Sequence, residues 1–148
     1  MDVLEELLNN DTLWIALLAF AIAQLIKVVV DLFRTKKINT SLLIGSGGMP
    51  SSHSAFVTAM TTAVGLQDGF DSALFAISAI LSMVVMYDAA GVRRAAGRHA
   101  AIINTIIENV ENSGLKLDKK LKELLGHSPI EVAAGAILGI AVAILCIR

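Results

Sequence analysis

The sequence is poor in the features that hold small secreted or metal-bound domains together. Its one cysteine, Cys146, lies inside an apolar run, so no intrachain disulfide can form. The three histidines join this thiol in no Cys/His cluster of metal-ligand spacing. Residues 1–12 lack Lys and Arg and carry Asp2, Glu5, Glu6 and Asp11; no small-residue cleavage site follows, which argues against a signal peptide. Charge is scarce too: 17% of residues are charged against 55% hydrophobic. With a mean hydropathy of +0.72, this excludes a soluble domain with solvated faces. The formal net charge of −1 gives no reason to expect a nucleic-acid partner. At 148 residues the chain reads as one domain, and the class is an integral membrane protein.

What is present is a set of long apolar stretches. Leu13 to Phe33 is long enough to span a bilayer, which takes about 20 residues. Gln24, Lys27, Asp31 and Arg34 interrupt it at spacings that place them on one helical face. The segment from Thr35 to Met49 reads as a loop, in part re-entrant. A shorter apolar helix follows at about 52–66, then a turn at Gln67–Asp71, then a third span at about 72–90. The last span is 130–147, where Gly135 and Gly139 suit close helix packing.

Between the third and last spans, 99–125 reads as an amphipathic insertion. Ile102, Ile103, Ile106, Ile107 and Val110 share one side of a helix that Asn112-Ser-Gly114 ends. Leu117, Leu121, Leu124 and Leu125 recur at helical spacing among Lys116, Lys119, Lys120 and Lys122, a second interfacial helix whose basic side suits anionic lipid or simply water. The expected fold is therefore all-α: a polytopic membrane bundle of about four transmembrane helices plus two amphipathic helices on the cytoplasmic side. Basic residues gather at 34–37 and throughout 93–122, while the N-terminus and the 67–71 turn have none. The positive-inside rule then puts the N-terminus outside and both basic loops in the cytoplasm.

One stretch stands apart: Gly45-Ser-Gly-Gly-Met-Pro-Ser-Ser-His-Ser-Ala55. Gly45, Gly47 and Gly48 permit tight turning and close approach of a ligand to the backbone. Ser51 or Ser52 can cap the helix that starts there, whose free N–H groups suit an anion. His53, on the first turn, can give or take a proton. The plainer alternative is a loop with an ordinary cap.

Other polar residues converge on the same face. Lys27 and Arg34 close the first span, Arg93 and Arg94 follow the third, and His127 and Glu131 open the last. Fixed cations around two histidines are the equipment of phosphoryl transfer: cations hold the phosphate oxygens, one His attacks and the other protonates the leaving oxygen. Each also has a plain reading. Lys27 and Asp31 can neutralise each other at i, i+4, Arg93 and Arg94 can be membrane anchors, and Ser128-Pro129-Ile130-Glu131 is a capping box with proline at the first helical position.

In these residues the chain resembles a divergent branch of the type 2 phosphatidic acid phosphatase superfamily, which includes the vanadium haloperoxidases. Lys27 and Arg34 have the spacing of that superfamily's first motif, with Thr35 where its proline stands. Pro50-Ser-Ser-His53 matches the second, with Ser52 for glycine. His127, Glu131 and the following Val-Ala-Ala-Gly135 resemble the end of the third, with Glu for Asp. Leu121 stands where that motif has an arginine, so Arg93 or Arg94 would replace it across the inserted helices. A competing alignment through Arg93 and His99 requires an acid where Ile103 stands. The resemblance covers residues 27–139.

The resemblance implies that His127 is the nucleophile and forms a phosphohistidine, that Glu131 orients it, and that His53 is the general acid. Lys27, Arg34, Ser51, Ser52 and one of Arg93 or Arg94 would cradle phosphate. No metal or other cofactor is implied, since the fixed cations take that part. The expected function is hydrolysis of a lipid phosphate monoester or diphosphate at the cytoplasmic membrane face. The alternative is a non-enzymatic binder or carrier of lipid phosphate with a degenerate site. A haloperoxidase would act on small water-soluble substrates, which gives no reason to embed the site in the membrane. Since the family core has about six helices, either the interfacial helices or homodimerisation would complete four spans.

Overall fold

The computed structural model describes residues 2–36, 48–111, 121 and 126–147; the side chains of Arg34, Val110 and Glu111 are outside that description. The described residues are helical and contain no strand. The helices are α1 (Val3–Leu8), α2 (Asp11–Thr35), α3 (Ser52–Asp68), α4 (Ala73–Ala90), α5 (Val92–Glu111) and α6 (Pro129–Cys146). Three helical stretches are long and apolar enough to cross a membrane: Asp11–Phe33, Ala73–Asn109 and Pro129–Cys146.

The short helix α3 is the centre of the bundle, packed against α2, α4 and α6. Its sequence explains why it can be short and comparatively polar. Ala55, Ala59, Ala63 and Gly65 are buried and let neighbouring backbones close in. Its hydroxyls reach carbonyls of its neighbours: Thr58 Oγ1 donates to Ala136 O at 3.1 Å and Thr61 Oγ1 to Ser78 O at 3.0 Å. Ser82 Oγ of α4 in turn donates to Val57 O at 2.9 Å. A helix walled by protein needs no uniformly apolar surface, whereas α4 turns Ile77, Ile80, Met83 and Val84 outward.

Gly135 and Gly139 are where α6 meets α3. A Cβ on Gly135 would collide with Ser51 O and come within 3.0 Å of Ser54 Cβ; one on Gly139 would collide with Ala55 O and Thr58 Oγ1. The short Gly135-x-x-x-Gly139 pattern therefore sets how deeply α6 seats. At the far end of this contact, Ile15, Ala19, Ala59, Ala63, Val142 and Ala143 form a small core.

Gly91 separates α4 from α5, and α5 carries Ile102, Ile103 and Ile106 exposed along one face. Asn104 is buried and clamps Leu121, donating from Nδ2 to Leu121 O and accepting from Leu121 N, both at 2.8 Å. The second amphipathic helix, the helix-ending Asn112-Ser-Gly114 and most of the 35–49 loop lie outside the described residues.

Candidate functional site

The C-terminal end of α2, the start of α3, the end of α4 and the segment before α6 meet at one end of the bundle. Two backbone hydrogen bonds pin the last three: Ser51 N donates to Glu131 O and His127 N to Ala89 O, both at 2.9 Å. Gly126 makes the second contact possible. Its φ is +86°, and a Cβ there would collide with Arg94 N and approach Arg93 C at 2.8 Å. The backbone ahead of His127 thus lies directly on the α4–α5 junction.

His127 is 3% exposed. Its Nδ1 lies 3.1 Å from Glu131 Oε2, and the same oxygen accepts from Ser128 N at 3.0 Å. Glu131 N donates back to Ser128 Oγ at 3.3 Å, completing the capping box. A carboxylate only accepts, so Nδ1 donates in this contact, and in the neutral ring Nε2 keeps its lone pair. Nε2 is buried with no hydrogen-bond partner among the described residues. Burial pushes the His127 imidazole below the ordinary histidine value; Glu131, by hydrogen bond and charge, pulls it partly back, and Lys27 and Arg93 push it further down.

Lys27 is 2% exposed, and no described residue forms an ion pair with it. Asp31, its expected i, i+4 partner, keeps Oδ2 buried and without a hydrogen bond. Glu131 acts on Lys27 only through space. Gly48, at φ +82°, lies along the lysine stem, where a Cβ would stand 3.1 Å from Lys27 Cγ. His53 is on the first turn of α3, within electrostatic reach of Arg93, His127, Lys27 and Asp88. Lys27, His53, Arg93, His127 and Glu131 thus act on one another electrostatically at this end of the bundle, with Lys27 and His127 buried and His53 and Arg93 exposed.

Other expected residues stand differently. Ser51 is the N-cap of α3, its Oγ accepting from Ser54 N at 3.3 Å and Ser54 Oγ at 3.0 Å, and Ser52 is buried beside it. Arg93 Nε is 2.6 Å from Asp88 Oδ2, an ion pair spanning the Gly91 break. Arg94 is exposed and contributes its backbone, under Gly126, to the site. His99 is exposed, further along α5. Arg34 lies two turns beyond Lys27 on α2, and Gly45 and Gly47 are outside the described residues. Asp88 and Gly126 are the residues that sequence spacing missed: Asp88 precedes its partner by five positions, not the helical three or four.

A family model, described as the divergent PAP2 family, matches residues 8–142. The chain belongs to that family. It is also 46% identical over 146 residues to an uncharacterized membrane protein, YuiD, of Bacillus subtilis (strain 168), covering 91% of this chain and 92% of that protein. No solved structure matches. Membership of the divergent PAP2 family agrees with the family likeness read from the sequence, and the relative is likewise described as a membrane protein.

Proposed function

We propose that the chain is a metal-independent phosphatase of lipid phosphate monoesters or diphosphates, working through a phosphohistidine on His127. The observation that carries this reading is the state of His127: Nδ1 held by Glu131 and Nε2 buried without a partner among the described residues, with the buried Lys27 acting on the ring through space. A buried cation and a buried acceptor that do not bond to each other each lose solvation, and an anionic, electrophilic group that engages both would recover it.

In this reading the Nε2 lone pair attacks phosphorus and the bond to the leaving oxygen breaks. Protonated His53 gives its proton to that oxygen. Neutral His53 then takes a proton from water, whose oxygen attacks phosphorus and breaks the P–N bond, releasing phosphate and restoring His127. Lys27 balances the charge throughout, joined by Arg34 and by Arg93 when its pairing with Asp88 loosens. Ser51 and Ser52 fix the helix start that holds His53 in place. The basic residues at 34–37 and 93–122 favour the cytoplasmic face for this end.

Phosphate release from lipid phosphates by the purified protein, in detergent with chelator, tests the reading. His127→Ala should abolish both turnover and an acid-labile phosphoenzyme, while His53→Ala should still form phosphoenzyme from an aryl phosphate, whose leaving group needs little protonation. Phosphoenzyme persisting in His127→Ala sinks the assignment. The pairing of Arg93 with Asp88 favours the second reading, a lipid-phosphate binder; saturable vanadate binding without any phosphate release would establish it.

A further inference from the structure

We infer that the cleft between α2 and α3 receives a single hydrocarbon chain, so that the ligand is a phosphate or diphosphate ester bearing one chain and not two. This rests on the reading of Lys27, His53 and His127 as a phosphate site. The cleft is lined by Leu17 and Phe20 of α2 and by His53 and Phe56 of α3, with a volume of about 300 Å³. Ligand pockets run from about 300 to 1,000 Å³, so this one is at the narrow end. Its lining is three hydrocarbon side chains and one imidazole. The Phe20 and Phe56 rings meet edge to face with centroids 6.2 Å apart, forming a continuous apolar wall. Leu17 is exposed, so the cleft opens sideways, where lipid would lie.

The register connects this cleft to the phosphate site. Phe20 precedes Lys27 by seven residues, two turns, and shares its face about 10 Å further into the span. Phe56 follows His53 by three residues, just under one turn. A phosphate between Lys27 and the histidines therefore has an apolar path leading away from it, past His53 and along the wall made by the two rings.

The remaining sides of α3 offer no second path among the described residues. Against α4 the gap is closed by Ser82 Oγ on Val57 O and Thr61 Oγ1 on Ser78 O. Against α6 it is closed by backbone contact at Gly135 and Gly139. A diacyl lipid branches beside its phosphate and would have to leave one chain outside the cleft. Alkyl, prenyl and monoacylglycerol phosphates share the chemistry that fits: one chain, one anionic head.

The test uses the full chain in detergent and reads binding apart from catalysis. The chain has one tryptophan, Trp14, so Trp14→Phe combined with Phe56→Trp leaves one indole, in the cleft; Leu17→Trp in the same background reports from the opposite wall if Phe56→Trp fails to fold. An alkyl phosphate brominated near its head should quench this fluorescence saturably. Unbrominated alkyl, prenyl or monoacylglycerol phosphate should reverse the quench, and their order of potency tells which chain is preferred. Diacyl phosphatidic acid should be about tenfold or more weaker as a competitor, the scale on which a pocket rejects a poorly fitting hydrocarbon. Equal competition by the diacyl lipid, or equal quenching by a brominated alcohol without phosphate, overturns the proposal. Phosphate release by the unsubstituted protein is measured alongside. Saturable quenching without release leaves the cleft assignment standing and removes the catalytic one, whereas release without quenching removes the cleft alone.

Discussion

His127 Nδ1 and the N-cap backbone of α6 share one acceptor, Glu131 Oε2, at 3.1 and 3.0 Å. Capping and orientation, which are alternatives when Ser128-Pro-Ile-Glu131 is read as a sequence, are performed together by a single oxygen. The helix start that the capping box stabilises is thus also the platform on which the imidazole is aimed.

The two roles separate under substitution. Ser128→Ala removes the hydroxyl half of the box and should cost about 0.5–2 kcal/mol of stability, with little effect on phosphoenzyme formation per folded molecule. Glu131→Gln keeps a capping side chain but loses the charge that fixes the Nδ1–H tautomer. It should slow phosphoenzyme formation by roughly 10²-fold or more at nearly unchanged melting temperature. Equal kinetic losses in the two variants would show that Glu131 is only a cap.

Lys27 and Lys36 test whether the attraction for phosphate is local or diffuse. Lys27 is buried, whereas Lys36 is exposed in a left-handed conformation at the end of α2. Lys27→Met, which keeps the stem that lies against Gly48, should weaken vanadate inhibition by about 10- to 100-fold, as loss of a charged hydrogen bond does. Lys36→Met should change it little. Inhibition constants that shift together would mean a diffuse basic surface.

How much of this was legible in the sequence differs from residue to residue. The apolar stretches around 13–33, 72–90 and 130–147 are visible because lipid imposes a long, simple pattern. The place of α3 is not, because its neighbours are helices and its role shows only in small residues and hydroxyls that are ambiguous along a sequence. Lys27, His53 and His127 could be singled out from their spacing within partial motifs. The pairing of Arg93 with Asp88 could not, since the chain bends at Gly91 and brings together residues that no regular helix would. Gly126 was hidden for a similar reason: its need for φ +86° comes from the backbone of Arg93 and Arg94, far away in sequence.

The glycines of α6 carry a stability prediction with a functional edge. Gly135→Ala and Gly139→Ala each drive a methyl into α3 backbone, which cannot swing aside as a side chain would. Each should cost about 1–3 kcal/mol in detergent unfolding, the usual range for overpacking. Only Gly135→Ala should also reduce phosphoenzyme yield among the molecules that remain folded, because it displaces the Ser51 carbonyl next to His53. Gly139, a full turn away, meets Ala55 and Thr58 and leaves the site alone. A melting temperature unchanged in both would refute the seating of α6 described here.

The pH dependence follows from the burial of His127. Its imidazole lies below the ordinary value of about 6.5, chiefly through burial and further through Lys27 and Arg93, against the opposing pull of Glu131. Between the lowered folded value and 6.5 the unfolded chain binds more protons than the folded one. This contribution to stability is therefore complete above about 6.5 and is lost as pH falls toward the folded value. The same shift keeps Nε2 free to attack in mildly acidic solution. Phosphoenzyme formation from an aryl phosphate, measured in His53→Ala so that only one histidine of the pair titrates, should hold its rate as pH drops through 6.5 and decline only below it. Glu131→Gln removes the group that raises His127, so what activity remains should decline at still lower pH. An acid limb centred above 6.5 in His53→Ala would mean that His127 is not held neutral by its surroundings, and the account of a buried, bare Nε2 as nucleophile would fall with it.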